Sequence, residues 1–145
     1  MEQREERSAV RVGMTWGGIG AVVGFLTSLL GSLVGILVAG FVGASCGRRA
    51  AEAEVGRRPG ALSGLVGGVV AAPAFVIGAS AGALVAAREI GSPRIAEVLS
   101  EVLGTQVSSD EAWQVFLLSV VVAAVFQGVV LILTSVAAGA WATRK

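Results

Sequence analysis

Three long intervals without any charged residue dominate the 145-residue chain. They cover residues 12–47, 59–87 and 112–143, and their lengths are 36, 29 and 32 residues. A helix needs only about 20 apolar residues to cross a hydrocarbon core about 30 Å thick. A chain this short has too little polar sequence to enclose three such helices in a water-soluble fold. The intervals therefore predict an all-α, polytopic membrane protein.

The composition of the chain is that of a protein surrounded by lipid. Charged residues make up 14% of the sequence, against about 25% in an average soluble domain, and the mean hydropathy is +0.81. The net charge is only +1, and the sequence has no basic stripe with interleaved aromatic residues of the kind that binds nucleic acid. We therefore expect the lipid bilayer as a partner, and no nucleic acid.

The first uncharged interval is too long for one crossing. At 1.5 Å per residue, its 36 residues would form a helix about 54 Å long. A break at Gly31-Ser32 would instead give a helical hairpin. Cytoplasmic flanks are enriched in Lys and Arg. A single crossing would place five of these residues on one side of the membrane and six on the other, whereas a hairpin would place nine on one side and two on the other. The sequence therefore predicts four transmembrane helices, the first two a tight hairpin, with both termini cytoplasmic. A re-entrant hairpin that does not fully cross gives the same sidedness.

We expect residues 1–145 to form one membrane domain, a multi-pass protein of the cell membrane. The first uncharged interval is much longer than the apolar part of a signal peptide, which predicts an uncleaved first span. The predicted crossings cover residues 14–30, 33–47, 61–87 and 113–142.

Tryptophans mark the expected membrane interfaces. Trp113 and Trp141 are 28 residues apart, which is about 42 Å along a helix. Tryptophan is enriched at both interfaces of a bilayer. We therefore predict these two residues as anchors of the last crossing, and Trp16 as the anchor of the first.

Small residues recur at every fourth position in several intervals, which places them on one stripe of a helix. In lipid, helices associate through close backbone approach at such stripes. We therefore predict glycine-zipper packing, with self-association or membership of a larger membrane complex. The predicted helix-packing positions are Gly31, Gly35, Ala39, Gly43 and Gly47, then Gly60, Gly64 and Gly68, then Gly78 and Gly82, with a shorter repeat at Gly20, Gly24 and Ser28.

Two residues interrupt the apolar character of the predicted crossings. Gln127 is the most polar residue deep within a crossing, and we expect it to face and hydrogen-bond another helix. Pro73 removes one backbone hydrogen bond and is expected to kink its helix. A static kink filled by a neighbouring helix is the favoured interpretation, with a hinge or a cavity as the alternative.

The segment between the last two crossings predicts a short amphipathic helix over residues 93–104. Its apolar residues follow helical spacing with acidic residues on the other face, and Gly104 is a predicted helix stop. This helix could lie on the membrane surface, cap the bundle or present its apolar stripe to a partner. Because surface helices that bind anionic lipid are usually basic, we expect it to cap the chain's own bundle or a sister subunit. Ser108 and Glu111 form a predicted capping box that begins the final helix.

The residues needed for common catalytic sites are missing. The chain has no His, no Tyr and one cysteine, Cys46, which excludes His-based metal sites and nucleophile pairs that need His. No charged residue lies inside a predicted crossing, whereas proton relays and ion-coupled carriers depend on such charges. We therefore predict no enzyme, no cofactor and no metal site.

Three kinds of function fit these observations. The first is a small structural or accessory membrane protein that packs through its glycines into an oligomer or a larger complex. The second is a passive pore or holin-like channel, and the third is a virion envelope protein. The side chains that would line the pore are Ser28, Ser32, Ser119 and Gln127.

The stretch over residues 38–70 resembles uncharacterised short multi-spanning, Gly-rich membrane proteins of halophilic archaea. In these proteins a Gly-rich hairpin ends in an AG-type motif, and a polar loop and a Gly-rich helix start follow. The resemblance covers about a quarter of the chain and implies a four-helix membrane protein, with no activity attached. The matching residues are Ala39, Gly40, Gly43, Gly60, Ala61, Gly64, Gly67 and Gly68.

Overall fold

The computed structural model describes residues 2–28, 32–53 and 57–142, and side chains for residues 7–24, 37–38, 40–53 and 59–142. The described chain is all-α and contains no strand, which confirms the all-α part of the predicted fold class. The helices are α1 (Glu2–Ser28), α2 (Ser32–Glu52), α3 (Arg57–Ile90), α4 (Ser92–Leu103) and α5 (Ser109–Ala142).

Among the described residues, two helices rather than four are long and apolar enough to cross a membrane. They are Pro59–Ile90 in α3 and Ser109–Ala142 in α5, with mean hydropathies of 2.1 and 2.8. The uncharged part of α2, residues 32–47, has only 16 residues, and that of α1, residues 12–28, is diluted by five glycines. Composition alone therefore supports two crossings, and the status of α1 and α2 depends on their packing.

The first uncharged interval is divided between two helices. α1 ends at Ser28 and α2 begins at Ser32, so the predicted break falls between them, and Gly31 itself lies outside the described residues. Trp16 lies beside Cys46, and Gly20 lies beside Cys46 and Val42. This pairing makes α1 and α2 antiparallel.

The other helix pairs have directions that the glycine contacts define. Ala9 lies beside Ser63 and Gly24 beside Phe75, so α1 and α3 are parallel. In the same way Gly43 contacts Leu131 and Gly47 contacts Ser135, so α2 and α5 are parallel. The start of α3 at Gly60 meets the end of α5 at Gly139, so α3 and α5 are antiparallel. In the described part of the chain α1 and α5 do not contact each other. The four helices thus form a bundle in which α2 and α3 separate α1 from α5.

The two ends of this bundle differ. The start of α1, the end of α2, the start of α3 and the end of α5 lie together at one end, which we call the basic end because Arg7, Arg11, Arg48 and Arg49 are there. The opposite end, which includes α4, is called the α4 end. Because Gly24 faces Phe75, the last residue of α1 is level with about residue 79 of α3. α3 therefore continues for about 11 residues, or about 16 Å, beyond α1.

α4 is held by tight joints on both sides. Gly91 alone separates it from α3, with a φ of 82° that favours glycine. Gly104 ends it in the left-handed conformation, with φ 68°, which confirms the predicted stop. The Ser100 hydroxyl accepts a hydrogen bond from the backbone N–H of Val107 at 2.9 Å. α4 contacts α5 and α3, so its orientation relative to the bundle is fixed.

The predicted capping box at the start of α5 is confirmed. The backbone N–H and the hydroxyl of Ser108 donate to the Glu111 carboxylate at 3.0 and 2.8 Å, and the Glu111 N–H donates to the Ser108 hydroxyl at 3.3 Å. The backbone N–H and then the hydroxyl lower the pKa of Glu111, since both bonds favour the charged form. Glu111 precedes the uncharged part of α5, which begins at Ala112.

The centre of the bundle is filled by a small cluster of apolar side chains. Ala71, Ala72, Phe75 and Leu131 form it, and Phe75 and Leu131 are fully buried. Pro73 lies within α3, which remains one continuous helix, and its ring is exposed on the outside of the bundle. Neighbouring helices therefore do not cover the proline.

Candidate helix-packing site and internal cavities

The α3–α5 seam is a line of backbone contacts between small residues. A Cβ placed on Gly139 would overlap the carbonyl oxygen of Gly60, and one placed on Gly68 would lie 3.0 Å from the Ile132 Cα. Such close approach is the way that helices pair in lipid, where no hydrophobic force joins them. It also allows weak Cα–H···O contacts between the two backbones.

A single residue of α5, Ser135, is the meeting point of three helices. Its side chain is fully buried. A Cβ on Gly47 of α2 or on Gly64 of α3 would overlap the Ser135 carbonyl oxygen. One helical turn earlier in α2, a Cβ on Gly43 would lie 2.6 Å from the Leu131 carbonyl oxygen. We call this group, Gly47, Gly64 and Ser135, the Ser135 junction.

The α1–α3 seam joins the hairpin to the rest of the bundle. A Cβ on Gly17 would lie 2.7 Å from the Gly67 carbonyl oxygen and 2.8 Å from its Cα. A Cβ on Gly13 would lie 2.6 Å from the Ser63 carbonyl oxygen. The buried Ser63 hydroxyl donates to the Ala9 carbonyl oxygen at 3.1 Å. This bond gives the seam a specific polar contact.

The α1–α2 contact at the basic end combines a thiol and a cation. The Cys46 thiol donates to the Trp16 carbonyl oxygen at 3.4 Å, and a Cβ on Gly20 would overlap the Cys46 sulfur. The Arg49 guanidinium carbon lies 5.4 Å from the centroid of the Trp16 ring, within the range of a cation–π interaction. Cys46 thus occupies a packing position, and Trp16 lies among basic residues.

A cavity of about 110 Å³ lies between α3 and α5 in the half of the bundle nearer α4. Ser80 of α3 and Ser119 and Gln127 of α5 supply polar atoms to its wall. The Ser119 hydroxyl donates to the Phe116 carbonyl oxygen at 2.7 Å, and the Gln127 side chain is 1% exposed. On the side away from α4, Phe75 and Leu131 fill the bundle centre.

A second cavity of about 300 Å³ lies where α3, α4 and α5 meet. Arg88, Ser92, Asp110 and Trp113 line it, and the Trp113 ring stacks on Phe116 at a centroid distance of 5.6 Å. Trp113 therefore lies at the start of the apolar part of α5. Trp141, at the other end of the same helix, is 74% exposed.

The structure brings together some of the predicted packing positions. Gly43, Gly47, Gly60, Gly64 and Gly68 all meet α5. Gly31 lies outside the described residues, as do the side-chain surroundings of Gly35, Ala39, Ser28 and Ser32. Gly78 is buried and Gly82 is half-buried in α3.

Sequence reasoning overlooked several residues that make close contacts. A four-residue spacing was present between Gly13 and Gly17, and again between Ser135 and Gly139. Ser63 carried no such signal, because one serine in a glycine-rich helix does not indicate which backbone carbonyl it reaches.

No known protein family, curated protein or solved structure matches this chain.

Proposed function

We propose that this chain is a multi-pass integral membrane protein with a structural or accessory role, assembled from four helical crossings with both termini cytoplasmic. The observation that carries the proposal is the distribution of its side chains. Small residues line the seams, whereas more than twenty large apolar side chains of the described residues are exposed. A soluble monomer rarely exposes a contiguous apolar patch above a few hundred Å². Lipid is the solvent that such a surface requires.

Four crossings are supported by the way the hairpin lies along the long helices. α1 follows α3 and α2 follows α5 through successive glycine contacts. The uncharged parts of α1 and α2 have 17 and 16 residues, or about 26 and 24 Å of helix, close to the thickness of a hydrocarbon core. Packing against two strongly apolar helices compensates for their lower hydropathy.

The cytoplasmic assignment is supported by the ends of the bundle. The helix ends that the hairpin topology places on the cytoplasmic side are the ends that meet at the basic end. Nine of the eleven Lys and Arg residues belong to those segments of the sequence. Such an excess is typical of cytoplasmic flanks.

A structural role is favoured over a pore by the filled centre of the bundle. Phe75 and Leu131 are fully buried where the helices converge.

Two small positions, Gly18 and Gly40, have nothing within 4 Å of an added Cβ. These outward positions are available to a neighbouring helix, and we propose that a second copy or a larger complex packs there.

Membrane sidedness tests the proposed topology. In a Cys46→Ser background, single cysteines at Ser8, Ala53 and Ser109 would be labelled with a membrane-impermeant maleimide in sealed vesicles. We expect Ser8→Cys and Ala53→Cys to react from the same side and Ser109→Cys from the opposite side. A reaction of Ala53→Cys on the side opposite Ser8→Cys would contradict the hairpin topology.

A further inference from the structure

α4 has three different edges. Ala96 is buried on the first, where α4 contacts the bundle. The second edge carries Val98 and Val102, which are four residues apart and 51% and 78% exposed. The third carries Arg94, Glu97 and Glu101, all of them exposed. At 100° per residue the valine edge lies about 140° from Ala96 and about 90° from the mean direction of the charged edge.

We propose that α4 is an interfacial helix whose valine edge, Val98 and Val102, inserts into the bilayer surface while its acidic edge faces water. The inference rests on the proposed membrane insertion of the bundle. It differs from simple capping of the bundle, because capping uses only the Ala96 edge and leaves the valine edge uncovered.

Continuity with the apolar surface of the bundle favours lipid as the occupant. At the same end of the molecule α3 exposes Val85 and Ile90, and α5 exposes Val115 and Leu118. α4 follows Ile90 after the single residue Gly91. In the proposed topology lipid covers this surface, and the valine edge lies at its end, where an amphipathic helix places its apolar face about 5–10 Å into the headgroup boundary.

The charges of α4 determine which lipids it accepts. Arg94 pairs with Glu97 at 2.6 Å, with both side chains exposed, and Glu101 adds a negative charge beside them. Helices that need anionic lipid are basic on their polar face. The insertion of α4 is therefore driven by its valine edge and does not require anionic headgroups.

The test uses single cysteines labelled with an environment-sensitive fluorophore, in a Cys46→Ser background and in nanodiscs. Val98→Cys and Val102→Cys report the valine edge, Glu101→Cys reports the acidic edge of the same helix, and Val121→Cys reports the exposed middle of α5. Quenching is compared in zwitterionic and anionic nanodiscs, with lipids brominated near the headgroup boundary for the α4 labels and near the chain middle for Val121→Cys.

We expect both valine-edge labels to be blue-shifted and quenched by bromolipid to the same extent in both lipids, with the Glu101→Cys label in water and unquenched. Water-like emission at Val98→Cys, with Val121→Cys quenched, would overturn the inference. The proposed membrane insertion of the bundle would still stand. A blue shift without bromolipid quenching would indicate a second copy over this edge and would also overturn it. Quenching at Val98→Cys in anionic lipid alone would refute the independence from headgroup charge. An unquenched Val121→Cys would instead contradict the membrane insertion on which the inference rests.

Discussion

The α1–α2 hairpin and the α3–α5 pair are both antiparallel helix pairs, yet they differ in what would keep them in a bilayer in the proposed topology. α3 and α5 each contain a window apolar enough to cross a bilayer alone. The uncharged parts of α1 and α2 are shorter, and α1 is rich in glycine. The same glycines that lower the hydropathy of the hairpin form its seams with α3 and α5. The hairpin is thus less apolar than α3 and α5, but its glycines let it pack closely against them.

This difference implies an order of dependence between the two pairs. In a bilayer the hydrophobic effect does not join helices, so close packing and hydrogen bonds at the seams hold the hairpin in place. Damage to a seam should therefore release α1 or α2 before it affects α3 and α5. Substitutions in two seams, Gly47→Leu and Gly17→Leu, test this order, and a third, Gly40→Leu, tests the proposed assembly.

Gly47→Leu should have the largest effect, because its side chain would occupy the place of the Ser135 carbonyl oxygen in a junction of three helices. Overpacking costs about 1–3 kcal/mol where side chains can adjust, and more where backbone is the obstacle. We expect loss of the monodisperse protein in detergent, measured by size-exclusion chromatography and thermal unfolding. Gly40→Leu, in the same helix, is the control and should keep the wild-type melting temperature. Equal behaviour of the two variants would contradict the α2–α5 seam.

Gly17→Leu should have an intermediate effect, because its side chain would meet the backbone of Gly67 where two helices join instead of three. The cost is at least about 1–3 kcal/mol, and the α3–α5 seam remains untouched. Spin labels at Val22 and Ile77 report α1–α3, and labels at Leu65 and Leu133 report α3–α5. We expect the first distance distribution to broaden and the second to remain narrow.

The adjacent substitution Gly18→Leu is the matched control for Gly17→Leu, since an added Cβ at Gly18 meets nothing within 4 Å. It should leave both distance distributions unchanged. Simultaneous broadening of both distributions in Gly17→Leu would show that the two helix pairs are not separable units.

Gly40→Leu should have the smallest effect on the fold and a specific effect on assembly. Because Gly40 faces outward, a larger side chain there would keep a partner helix at a distance. We expect wild-type thermal unfolding, but a smaller particle mass in lipid nanodiscs by native mass spectrometry. A wild-type protein that is monomeric and copurifies with no other protein would contradict the proposed assembly.

The sequence was informative about elements and much less so about partners. The excess length of the first uncharged interval predicted its division, and the spacing of Ser108 and Glu111 predicted the start of α5, because both depend on neighbours along the chain. The partner of each glycine stripe could not be predicted. Four-residue spacing places Gly43 and Gly47 on one face of a helix, but only the packed bundle shows that this face meets Leu131 and Ser135.

The seams of α1 were the least predictable part of the site. Gly13 and Gly17 lie close to the charged N-terminal segment, where Arg7 and Arg11 obscure the pattern of a small-residue stripe. The hydrogen bond from Ser63 to Ala9 joins residues 54 positions apart. Contacts at such a separation depend on helix order and direction, which no local pattern specifies.

The Ser135 junction also limits how the molecule can move. A common allosteric change is the slip of one helix past another by one turn, about 5.4 Å. A slip of α5 in one direction would bring Leu131 to the position of Ser135, against glycines that have no free volume. The contacts of the Ser135 carbonyl oxygen with α2 and with α3 would also have to break together, since both helices meet this one oxygen. The Ser135 junction therefore opposes a slip of α5 in this direction by the packing of two other helices at once.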